Sequence, residues 1–186
     1  QELLKQLFNT FITGIRNNKS IKPRTWLEKK ALNYEDLNIG FNSGQFHHRK
    51  EEAFKNNYLQ IGVLKESDAP VKSPEMTSYT CFGRYGIMFP LKDEQGEITN
   101  LYAIRFDMEV EQTDYLNDEG IYPRYPHPFT KKLYITHSIL DGATLLQTKL
   151  LDNRDAVIAL QDGVLKEQHI TAIKQLQHLE EIILIH

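Results

Sequence analysis

The sequence predicts a chain in two architectural parts. The first is an α+β N-terminal lobe with a β-hairpin or small sheet, and the second an α/β, Rossmann-like parallel β-α-β-α-β unit. Three observations predict this. Glu2–Arg16 carries apolar residues at Leu3, Leu4, Leu7, Phe8, Phe11, Ile12 and Ile15, the spacing of one helical face. Two strand-like runs, GIMFPL and EITNLYAIRF, flank the turn KDEQG. From Lys131 onward short β-rich runs alternate with helical periodicities. Strands spaced by such helices form parallel sheets through right-handed crossovers.

Each element follows in order. NNKS breaks the first helix, and Pro23 then suits a first helical turn, with PRTWLEKKAL setting Trp26, Leu27 and Ala31 on an inner side. Residues 34–37 read as a short second turn, FNSGQFHH alternates weakly about a Gly-containing turn, and 51–59 returns to helix. Residues 69–76, with Pro70 and Pro74, read as a linker or surface loop. Pro90 puts the first hairpin strand at an edge or a bulge, and Gly96 ends its connection. The acidic stretch DMEVEQTDYLNDEG reads as an exposed loop. YPRYPHP, with Pro123, Pro126 and Pro128, reads as an extended connector. LYIT is then a strand, 138–150 a helix, AVIAL a strand, 166–178 a helix and EIILI a strand. The expected divisions are a helical part over 1–76, the hairpin and its acidic, proline-rich connector over 77–130, and the parallel unit over 131–186.

Composition narrows the functional classes. At 186 residues, 40% hydrophobic and 25% charged, the chain suits one well-buried core or two small lobes. Its apolar runs are too short to cross a bilayer and no secretory pattern opens it, so no membrane partner is expected. One cysteine, Cys81, allows neither an internal disulfide nor a cysteine-based zinc site, and a cytoplasmic location follows as the expectation. The net charge of −3 is unevenly spread: residues 16–72 hold 11 Lys/Arg against 7 Asp/Glu, while 93–119 hold 9 acids and only Arg105. The basic third either meets a phosphate backbone or is a solvated helical surface.

Ligands of open parallel sheets sit outside the carboxyl ends of the strands. Those ends are His137, then Gln161-Asp162-Gly163, then His186. Asp141, four residues after His137, suits two roles, capping the following helix or acting in a site. His137 at a strand terminus suits a general base, a ligand or neither. His137, Asp141 and Asp162 would make a weak divalent-ion set, because hard Mg²⁺ prefers oxygen, and no metal ligand is assigned. Arg84 and Arg105 flank the hairpin, and with Lys92, Phe82, Tyr85 and Tyr102 they suit a basic, aromatic surface for single strands. The competing reading makes the aromatics core and pairs the arginines with local acids. His47-His48-Arg49-Lys50 reads as a surface turn. No Walker or Rossmann phosphate loop is present, and no Ser/His/Asp or Cys/His arrangement has a recognisable local context.

Several segments in order resemble bacterial primases of the DnaG type, and most of all the variants on Bacteroides-type mobile elements, where a CHC zinc finger precedes a Toprim core. FGRYGIMFPLKDEQGEITNLYAIRF resembles the family's hairpin segment, with Phe82, Phe89, Pro90, Asp93, Gly96 and Arg105 matching. RTWLEKKALNYEDLNIGFNSGQFHHRK resembles the helix and turn before it. GIYPRYPHPFTKKLYITHSILDGATLL resembles the start of the Toprim fold, and VIALQDGVLKEQHITAIKQL its second strand and helix. The likeness covers 24–186.

The resemblance implies a core for template-directed RNA primer synthesis, with single-stranded DNA template, nucleotides and a replicative helicase as partners and Mg²⁺ as the cofactor of the full-length family. The family's Glu-Gly-x-x-Asp motif falls on residues 137–141, so its Glu position is His137 and only Asp141 keeps its identity. The family's Asp-x-Asp metal motif is expected directly after IILIH, which leaves the Toprim-like unit incomplete at its C-terminus. Phosphoryl transfer relies on metal ions held by carboxylates, and an imidazole cannot supply that negative charge. The expectations are therefore weak single-stranded DNA contact through Arg84, Lys92 and Arg105, no catalysis at His137 and Asp141, and neither Mg²⁺ nor zinc bound by this fragment. Two alternatives are a degenerate Toprim module that binds nucleic acid or a partner, and an α/β domain with a small ligand at its strand ends.

Overall fold

The computed structural model describes residues 1–48, 50–70 and 77–185. Two hairpin strands, β4 (Gly86–Lys92) and β5 (Ile98–Arg105), form the centre of a four-stranded antiparallel sheet. They are flanked by β1 (Gly40–Asn42) and β6 (Gln112–Tyr115), in the order β1-β4-β5-β6. The first helix, α1 (Glu2–Arg16), buries Leu4, Leu7, Phe8, Phe11 and Ile15, the face its periodicity predicts. It lies close on β1. A Cβ on Gly40 would stand 2.7 Å from that of Phe11, and one on Gly14 would stand 2.5 Å from the Phe41 carbonyl oxygen. Both glycines are there for that approach.

Apolar runs in β4 and β5 are continuous because both sheet faces are covered. Met88, Leu101 and Ala103 pack with α1 and with α3 (Glu52–Gln60). Ile87, Phe89, Tyr102 and Ile104 pack on the opposite face. That second face receives Leu27 of α2 (Ile21–Lys29), together with Ile139 and Ala143 from the C-terminal half. Pro90 sits where β1 has already ended, since β1 pairs only with Gly86 to Met88. Its missing N–H therefore breaks no ladder. A register shift between Leu91 and Lys92 follows it.

Three strand assignments differ from the sequence reading. FNSGQFHH begins with the last two residues of the three-residue β1, whose pairing with β4 was not visible in weak alternation. The acidic stretch contains β6, which pairs with β5 over Gln112 to Tyr115 and is not all loop. Its polar residues occupy an edge, where charge is tolerated. A separate two-stranded ribbon forms from β2 (Leu64–Ser67) and β3 (Ser78–Cys81). Residues 71–76 of the expected linker lie outside the described residues. Because β1 and β4 share a sheet, the expected division at 76/77 runs through one structural unit.

The C-terminal half holds β7 (Lys132–Thr136), α4 (Ile139–Gln147), β8 (Asp155–Ala159), α5 (Glu167–Lys174) and β9 (Glu181–Ile185). All three strands are parallel, in the order β8-β7-β9. Both helices are shorter than their periodicity suggests, because Thr148 and Gln175 act as C-caps. The connector ties the two halves together: Ile121 bridges to Lys92 and Tyr122 to Ala159. Asn100, fully buried, donates to the carbonyls of Asn117 and Glu119 at 2.7 and 2.9 Å and shapes the loop before that seam. Among the described residues, no helix is long and apolar enough to cross a membrane.

Candidate functional site

The carboxyl ends of β7 and β8 bring together His137, Asp141 and Asp162. His137 follows the last residue of β7 and is exposed. The Gly163 N–H donates to its carbonyl at 2.8 Å. Gly163 has φ +79°, and a Cβ there would stand 2.6 Å from His137 Nε2, so the glycine makes room for the imidazole. Asp162 also lies in the left-handed region, at φ +51°. Gln161 beside it is buried, and neither end of its amide has a hydrogen-bond partner. His186, the third strand end, lies outside the described residues.

Asp141 is the N3 residue of α4 and closes a capping box with Ser138. Its carboxylate accepts from the Ser138 N–H at 3.1 Å and the Ser138 hydroxyl at 2.6 Å. The Asp141 N–H in turn donates to the Ser138 hydroxyl oxygen at 3.2 Å. Two otherwise unpaired helix donors are satisfied in this way. The structure thus supplies the capping role outright.

One pair the sequence reading missed lies at the seam beside these acids. Tyr102 and Tyr115 stack with centroids 4.6 Å apart across β5 and β6. Burial pushes both phenols well above their ordinary range, and the charge of Asp162 adds to this for each. Asp141 adds to it for Tyr102. Tyr102 therefore belongs to the core, the competing reading of the hairpin aromatics, and not to an exposed aromatic surface. Tyr115 was hidden in a stretch whose charge dominates its pattern.

Mg²⁺ does not fit the residues described here. Among them, no three His, Cys, Asp or Glu side chains gather into a possible ion site. The Asp141 oxygen nearest the helix start is already held by Ser138, and a hard cation favours several oxygens.

The arginines stand elsewhere. Arg105 ends β5 opposite Gly86, and the turn carrying Arg84 folds back so that Gly83 lies over Ala103. Both arginines thus leave the same end of the hairpin. Alternation along β5 puts Arg105 on the side of Leu101 and Ala103, away from Tyr102. The Arg84 side chain packs on Gly44, and its guanidinium lies 5.1 Å from the Tyr85 ring centre. Arg105 reaches Met108 Sδ at 3.6 Å, and its Nε is buried without a partner. Among the described residues, neither arginine forms a salt bridge. Lys92 is at the far end of β4, opposite Ile98. At about 3.3 Å per residue it is roughly 20 Å from Gly86. The structure brings Arg84 and Arg105 together and leaves Lys92 apart.

The HHRK turn also differs from expectation. His47 is 6% exposed, not a surface residue, and its Nδ1 has no partner. Burial, then the charges of His48, Lys55 and Arg84, lower its pKa to about 4. His48 and Lys55 thus lie near Arg84 around His47, although Lys55 is paired with Glu52 at 2.6 Å. Arg49 lies outside the described residues.

Comparison of the sequence with protein-family models gives no match, and comparison with curated proteins gives none. Solved structures do resemble the fold. A DNA primase domain from Pseudomonas aeruginosa superposes with a TM-score of 0.75 at 15% identity, over 98% of this chain and 60% of that one. The E. coli primase catalytic core gives 0.73 at 14% identity, over 98% and 60%. A DnaG primase catalytic domain bound to ssDNA gives 0.73 at 14% identity, over 98% and 59%. The chain thus has the fold of a DnaG-type primase catalytic core and spans about 60% of the length of these structures.

Proposed function

We propose that this chain is a primase-like core segment that contacts single-stranded DNA without carrying out nucleotidyl transfer at its strand-end site. The observation that carries the reading is the pairing of Arg84 and Arg105 at one end of the hairpin with no acid partner among the described residues. Two cations without acid partners, one of them over an aromatic ring, suit a strand whose phosphates need charge and whose bases stack. The likeness to a primase catalytic domain bound to ssDNA supports the same ligand class.

In this reading residues 131–185 are a Toprim-like unit of the mobile-element primase kind, with His137 at the position of the family's carboxylate. Asp141 serves the helix start. With an imidazole in place of one acid and an oxygen of Asp141 engaged in a cap, the strand-end site has fewer free carboxylate oxygens to hold metal ions for phosphoryl transfer. Nucleotides and a replicative helicase are the further partners that this reading carries.

Filter binding of a labelled oligonucleotide tests it. A folded sample should retain the oligonucleotide at low salt and release it steeply as salt rises. No retention at low salt removes the DNA-contact half. Robust Mg²⁺-dependent primer synthesis with His137 in place removes the non-catalytic half.

A further inference from the structure

A hollow of about 460 Å³ opens between the end of α1, the start of α2 and the open end of the β4–β5 hairpin. Tyr85 and Phe106 wall it, Lys19 and Lys22 stand at its rim, and Gln45 contributes an amide. Asp107 is the only acid among its described lining residues. The volume is in the range of small-molecule sites.

Its walls are held in place from behind. Phe106 packs against Trp26 and Phe41, with centroids 5.9 and 6.3 Å away. Tyr85 has φ +57°, a conformation that bulky residues rarely adopt, and still leaves 39% of its surface exposed. A strained backbone that presents an aromatic ring to solvent calls for a functional reason. Neither lysine forms a salt bridge among the described residues. Arg84 lies over the same Tyr85 ring that walls the hollow.

We propose that this hollow receives one nucleotide of a bound single strand, with the base stacked on Tyr85 and a phosphate at Lys19 and Lys22. The inference rests on the DNA-contact reading above and adds a base contact to its phosphate contacts. An aromatic face accepts any base, and a nearby amide can hydrogen-bond a base edge. Two lysines without acid partners supply charge at the phosphate.

Fluorescence anisotropy with labelled oligothymidine and an abasic oligomer of equal length tests this at low salt. Tyr85→Ala should weaken oligothymidine binding at least about fivefold, the low end for one stacked base, and leave the abasic oligomer unchanged. Tyr85→Phe should keep both affinities, and Lys22→Ala should weaken both oligomers alike. If the alanine variant fails to fold, Tyr85→Gly, which suits the positive φ, takes its place. Equal effects on both oligomers, or none, overturn the nucleotide hollow and leave the arginine surface standing. Absence of binding by folded wild-type protein overturns the hollow together with the reading beneath it.

Discussion

Asp141 and Ser138 hold each other across the first turn of α4, through a 2.6 Å bond from the Ser138 hydroxyl to the Asp141 carboxylate and a 3.2 Å bond from the Asp141 N–H to that hydroxyl. Asp141 is thus the second member of a capping box. Asp141→Ala should therefore destabilise the fold by about 1 kcal/mol, the usual cost of a lost cap. Urea unfolding measures it. An unchanged midpoint would show that the box contributes nothing.

His137 and Gly163 are coupled by space. Alanine at Gly163 must hold a left-handed conformation, costing about 1 kcal/mol, and must also displace the imidazole. Gly163→Ala should therefore cost more in the wild-type background than with His137→Ala. A double-mutant cycle by chemical denaturation reads the difference. Additive effects would mean that the ring moves aside freely.

The N-terminal helix, the hairpin and the mixed α/β character were legible in the sequence because each rests on local periodicity. Leu7, Phe8 and Phe11 announce a helical face wherever the chain later packs them. β6 and β1 were not legible, since a four-residue strand among acids and a three-residue strand beside a turn owe their existence to β5 and β4. At the site, the positions of His137, Asp141 and Asp162 followed from where apolar runs stop. The separation of Lys92 from Arg84 did not, because residues eight apart lie close on a turn and far apart along a strand. Tyr102 illustrates the same limit: only the elements that later cover both faces of β5 decide whether its aromatics are buried or meet solvent.

Two buried histidines should make stability depend on pH. His169 accepts the Lys166 N–H on Nδ1 at 3.0 Å, and burial followed by the Lys166 charge lowers its pKa to about 4. His47 is lowered to about 4 by burial and then by His48, Lys55 and Arg84. In each case the unfolded chain takes up a proton below about pH 6.5 that the folded chain refuses until about pH 4. Stability should therefore fall as pH drops through that window, by on the order of 1 kcal/mol per histidine per pH unit. His47→Phe should flatten the wild-type slope by one proton's worth in urea unfolding between pH 6.5 and 4.5, and an identical slope would refute the assignment.

Arg84 and Arg105 should each carry part of the salt dependence of DNA binding. A contact that neutralises one phosphate of a single strand contributes about 0.7 to the slope of log affinity against log salt. Arg84→Ala and Arg105→Ala should each reduce the slope by about that amount. Lys92→Ala should leave it unchanged, because Lys92 ends the opposite side of β4. Filter binding across a salt series reads all three variants. Equal losses for Lys92 and the arginines would mean that the strand follows the full length of the hairpin. A loss confined to the arginines places the contact at the Gly86 end, beside Tyr85 and its hollow.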